Sequence, residues 1–70
     1  MKYLAIIEKT GTGYSAYSPD LDGCAAVGAT REEVEENVRE ALRFHVEEMR
    51  AEGISVLPPS TFSTYVDIPA

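Results

Sequence analysis

Only one stretch of this chain carries the signals of a long helix, and the rest must be arranged around it. Thr30 offers a side-chain oxygen for a helix N-cap, and Glu33 stands three residues later, where a carboxylate can complete a capping box. Ala29 and Val34 flank that box at the spacing of a hydrophobic staple. Downstream, Val34, Val38, Ala41, Leu42, His45, Val46 and Met49 recur as one face of a helix packing on a sheet. Gly53 is a natural left-handed residue just past the end, with Ile54 placed to fold back on Met49. These signals predict a helix from Arg31 to about Glu52. Glu32, Glu33, Glu35 and Glu36 suit the positive end of its dipole, and Glu35–Arg39 and Arg43–Glu47 predict exposed ion pairs.

Upstream, Tyr3 to Glu8 reads as a strand with apolar residues on both faces. Lys9 to Gly13 reads as a hairpin loop, with Gly11 and Gly13 supplying positive backbone angles, and Tyr14 to Ser18 as the returning strand. Pairing Glu8 with Tyr14 sets Ile6 opposite Ala16 and Ala5 opposite Tyr17. Pro19, Asp20, Leu21, Asp22 and Gly23 form a turn, followed by a short third strand from Cys24 to Val27; Gly28 permits the next change of direction. After the helix, Leu57-Pro58-Pro59-Ser60 is an extended connector, and Thr64 to Ile68 alternates as a final strand ended by Pro69. The prediction is an α+β chain of order β-β-β-α-β, a mostly antiparallel sheet with one long helix on one face, residues 1–70 forming a single domain.

One helix covers only one sheet face. Leu4, Ile6, Tyr14, Ala16, Val66 and Ile68 are expected beneath it. Tyr3, Ala5, Ile7, Tyr17 and Tyr65 are left on the other side, a tyrosine-rich apolar patch of the kind an interface buries. A chain of 70 residues is also near the size at which a single core is marginal. Together these predict a homodimer or tetramer with that face as a candidate interface.

The formal net charge of −6 disfavours direct nucleic-acid binding and anionic membrane surfaces, and it favours a basic protein partner. A single cysteine forms no internal disulfide, and the apolar run near Met1 is too short for a signal peptide or membrane span. The expected compartment is the cytoplasm. No cofactor or metal is expected. Asp20-Leu21-Asp22-Gly23 lacks the later ligands of a calcium loop, and Gly11 and Gly13 precede no helix start that would cradle phosphate. Cys24 and His45 are each the sole residue of their kind, but no orienting third group makes them a catalytic pair. His45 falls in the apolar stripe, where a partly buried histidine is the ordinary outcome and a pH-sensitive contact at a partner surface the functional one.

The string Pro19-Asp20-Leu21-Asp22-Gly23-Cys24, followed by Gly28, Thr30, Glu33, Asn37, Glu40, Ala41 and Leu42, resembles the HicB-like antitoxin family, as does the opening hairpin. The resemblance covers nearly the whole chain. His45 departs from it, standing where such helices usually carry an apolar side chain. With the sequence running to Ala70, the expectation is a short form without the DNA-binding extension of many relatives. The resemblance implies a partial ribonuclease H-like fold and a non-catalytic protein that sequesters and inhibits a small, basic HicA-like toxin, an mRNA-degrading ribonuclease. The inherited fold does not imply nuclease chemistry: the first strand centres on Ala5-Ile6 without an acid, and Asp67 stands alone on the last. Glu36, Glu40 and Glu47 on the helix are the candidate toxin contacts. The competing reading is an orphan oligomeric domain, a scaffold or small-ligand module without a toxin.

Overall fold

Two tight connections turn the first part of the chain into a three-stranded antiparallel sheet. In the computed structural model, which describes residues 1–70, β1 (Ile6–Lys9), β2 (Tyr14–Tyr17) and β3 (Ala25–Gly28) lie in the order β1-β2-β3, and α1 (Arg31–Ala51) crosses one face. The first hairpin loop is closed by a hydrogen bond from the Thr10 N–H to the Gly13 carbonyl at 2.8 Å. It therefore holds one residue fewer than expected, and Lys9, not Glu8, pairs with Tyr14. Ile7 lies opposite Ala16 and Ile6 opposite Tyr17. A one-residue slip exchanges the two faces of a strand, so Ala5 and Ile7 turn toward the helix, not Leu4 and Ile6. The sequence could not discriminate, because Leu4-Ala5-Ile6-Ile7 is apolar in both phases.

The row Ile7, Ala16, Ala26 runs across the sheet under α1. Two of its three side chains are methyl groups, which lets the helix sit close, and Val34 and Val38 fill the space at 0% and 4% exposure. Tyr14, Ala5, Ala26, Ile7 and Leu42 pack around this centre. The helix begins as expected. The Thr30 hydroxyl accepts from the Glu33 N–H at 3.1 Å, while the Glu33 carboxylate reaches one residue further back than a standard box, to the Ala29 N–H at 3.2 Å. It ends in a Schellman arrangement, with Gly53 at φ +74°, its N–H on the Arg50 carbonyl and the Ile54 N–H on the Met49 carbonyl. The exposed pairs are Arg31–Glu35 at 3.2 Å and Glu36–Arg39 at 2.8 Å, not the two expected. Alternative pairings on an exposed helix differ by only about 0.2–0.5 kcal/mol, so spacing alone does not choose among them.

Glycine acts here by two different means. Gly23 (φ +76°) supplies the left-handed residue of the β2–β3 turn. Gly13 and Gly28 are not left-handed; their role is close approach. A Cβ on Gly28 would stand 2.6 Å from the Val34 nitrogen, and one on Gly13 would stand 2.5 Å from the Gly28 carbonyl oxygen.

The predicted fourth strand does not form. From Ser55 onward no residue joins a backbone–backbone hydrogen bond. Val66 and Ile68, expected under the helix, are 72% and 78% exposed. A strand exists only against a neighbour, and this segment passes beside β1 without bonding to it. The radius of gyration is consequently 13.9 Å, against about 11 Å for a compact chain of this length.

Candidate functional site

The turn that carries the most distinctive residues is a structural device. Leu21 and Cys24 are buried beside Ser18, whose N–H bonds the Cys24 carbonyl while its carbonyl accepts from the Leu21 N–H. Pro19 leads into the turn and Gly23 reverses it. Asp20 faces outward and clamps the segment after the helix. Its carboxylate accepts from the Ser60 N–H (3.3 Å) and hydroxyl (3.2 Å) and from the Thr61 N–H (3.2 Å) and hydroxyl (2.7 Å). The Thr61 hydroxyl does most to hold this carboxyl below its usual value; desolvation opposes it as the next largest effect, and the Thr61 and Ser60 amides and the Ser60 hydroxyl add to the lowering. Burial pushes the Cys24 thiol up, away from the thiolate that nucleophilic chemistry requires. His45 is half-buried on the inward stripe. No group of three or more His, Cys, Asp or Glu side chains is placed so that it could hold a metal ion.

The five residues expected to form one interface patch are dispersed. Ala5 and Ile7 pack under the helix. Tyr3 lies on the helix side, beside Leu42 and Val46, with its hydroxyl donating to the Leu57 carbonyl. Tyr65 stands fully exposed on the segment after the helix. Only Tyr17 remains on the open sheet face, in a row with Ile6 and Ala25 and next to Val27, which is 72% exposed. The open face therefore carries one apolar row, Ile6, Tyr17 and Ala25, beside a mixed one, Glu8, Ser15 and Val27, a membership set by the hairpin register.

The outer face of α1 carries Glu36, Glu40 and Glu47, all exposed. Glu36 is paired to Arg39. Glu40 and Glu47 flank Phe44 in a shallow depression completed by Arg43, and the Phe44 ring is 66% exposed. Sequence reasoning passed over Phe44. Its position outside the apolar stripe, four residues from Glu40 and three from Glu47, was the available signal. An aromatic side chain flanked by two carboxylates offers both contact area and charge to a basic surface.

Residues 3–70 match the family model described as the HicB-like antitoxin of bacterial toxin–antitoxin systems. The chain belongs to the HicB-like antitoxin family. Among relatives, it is 33% identical over 69 residues to an uncharacterised 14.9 kDa protein of Haemophilus phage HP1, covering 99% of this chain and 52% of the phage protein. It therefore spans about half the length of that relative. It is 36% identical over 53 residues to a UPF0150 protein of Helicobacter pylori (76% of this chain, 74% of that one). A UPF0150 protein of Thermoplasma acidophilum is 39% identical over 51 residues (71% and 74%). Among solved structures, a chain of a HicA3 and HicB3 toxin–antitoxin complex superposes with a TM-score of 0.71 at 37% identity, covering 84% of this chain and 70% of that chain. Three antiparallel strands followed by one long helix are thus the fold of a HicB-like antitoxin. In this HicB-like chain the stretch from Pro19 to Cys24 and on to Gly28 shapes the β2–β3 connection, lets the helix sit close and anchors the segment that follows it.

Proposed function

We propose that this HicB-like chain is a non-catalytic antitoxin that sequesters a small basic HicA-like ribonuclease and blocks its cleavage of mRNA in the cytoplasm. The observation that carries the reading is the outer face of α1, where exposed Phe44 lies between Glu40 and Glu47, with Glu36 one turn before Glu40. Its sign fits a net charge of −6 and a cationic partner. The likeness to a chain from a toxin–antitoxin complex supports the same partner class. No helix is long and apolar enough to cross a membrane. Co-expression with a small basic protein, if an adjacent reading frame encodes one, tests the reading. Growth rescue and co-purification are expected, and Phe44→Ala should weaken capture at least tenfold, the ordinary cost of losing an aromatic anchor. Rescue without any physical complex would overturn it.

The chain also self-associates in this reading. Only six of 70 residues are buried, a small core that association would reinforce, and the sheet face bearing Ile6, Tyr17 and Val27 is uncovered. Those features equally serve the second reading, an orphan oligomeric domain without a toxin. Failure to find any basic neighbour that co-purifies favours the orphan.

A further inference from the structure

The segment after the helix is held at its root and free beyond it. Pro58 and Pro59 stiffen its departure from the helix, and Asp20 fastens Ser60 and Thr61 through four hydrogen bonds. Past that clamp Phe62, Val66 and Ile68, 90%, 72% and 78% exposed, fall on one side of an extended chain, and Tyr65, 101% exposed, falls on the other with Ser63 and Asp67. Beside it, β1 is an edge strand, paired to β2 on one side only. Its other edge opens on a groove lined by Leu4 to Ile7 and Lys9, with Ser63 to Tyr65 along the far wall.

We propose that Thr64–Ile68 is an exchanged strand, adding to the free β1 edge of a second copy of this chain while that copy returns its own segment to the first. An unprotected apolar edge and an unpaired apolar strand in one chain satisfy each other by reciprocal exchange about a two-fold axis. The area is sufficient. Phe62, just before the strand, points to the same face as Val66 and Ile68, and together they offer roughly 400 Å² per copy, so two segments with their acceptors bury about 1,500 Å², within the range of stable interfaces. Charge permits it as well. Although each copy carries −6, Asp67 is the only charge between Thr61 and Ala70, and the β1 groove is lined by Lys9 and Arg31.

The inference rests on the self-association proposed above and not on the toxin. Sedimentation and light scattering on the full chain at micromolar concentration, with hydrogen exchange, test it. Wild type should weigh twice the chain mass, with protected amides in Leu4–Lys9 and Thr64–Ile68. Val66→Asp with Ile68→Asp should halve the mass and remove that protection while leaving the helical circular dichroism unchanged, because neither side chain belongs to the folded core. Val66→Pro, which deletes a strand amide, should do the same. A wild-type monomer overturns both the self-association and the exchange. A dimer that survives the substitutions overturns the exchange alone and leaves the open sheet face as the interface. A segment protected only on adding a basic protein overturns it in favour of a heteromeric strand.

Discussion

At the scale of single residues, the decisive positions work through backbone contact and not through reactive groups. Gly28→Ala would drive a methyl group to 2.6 Å from the Val34 nitrogen and 2.9 Å from its Cα, both backbone atoms of a helix that cannot yield without lifting from the sheet. We expect a loss of about 1–3 kcal/mol, read as a lower urea midpoint, the usual cost of overpacking. Gly11→Ala, with open space around it and no left-handed angle, should stay within about 0.5 kcal/mol. Asp20 makes a pH-dependent claim. Hydrogen bonds from Thr61 and Ser60 depress its folded pKa, so the clamp is fully formed above the ordinary carboxylate range and is lost as pH falls through the lowered value. The Ser60 and Thr61 amide resonances should therefore hold steady at neutral pH and shift only in acid. In Asp20→Ala they should already occupy the released position at pH 7; amides insensitive to that substitution would contradict the clamp.

Among elements, α1 is specified most locally. Its cap is a side-chain bond within four residues, and its stop is a left-handed glycine closing two carbonyls. Thr30→Ala should cost about 1 kcal/mol in chemical denaturation, and Thr30→Ser or Thr30→Asp should restore most of it, since the cap needs only an acceptor oxygen. If serine fails to rescue, the methyl group matters and the capping account is wrong. The helix also ties down an edge of the sheet, where the Asn37 side-chain amide donates to the Val27 carbonyl at 2.9 Å on β3. The strands have no comparable local signal. They are four residues each, and β1 reads as apolar on both sides.

The whole molecule divides its surface by chemistry. Acid gathers on the outer face of α1 around Phe44, and apolar area gathers on the open sheet face and on the segment after the helix. Partners of different kinds therefore need not compete for one patch. Reversing Glu36, Glu40 and Glu47 to lysine should slow association with a basic toxin about tenfold or more at low ionic strength, and the difference should shrink as salt is added. Association rates unchanged at low salt would remove those three carboxylates from the binding face. The stability of these variants should be nearly that of wild type, because only Glu36 has an ion-pair partner and that pair is exposed.

The sequence alone determined the elements whose physics is local. The capped helix from Arg31, the glycine stop at Gly53 and the turn from Pro19 to Gly23 all rest on groups a few residues apart, and family membership was legible in the residue pattern along nearly the whole chain. The reasons for Gly13 and Gly28 were not visible, because their crowding involves atoms distant along the chain. The hairpin register, and with it which of Ile6 and Ile7 is buried, was settled only in three dimensions. There one hydrogen bond across Thr10 and Gly13 selected between two equally apolar phases. The same holds for Thr64–Ile68, whose alternation is real but whose pairing depends on a neighbour, since a ladder of hydrogen bonds belongs to two strands and is not a property of either one.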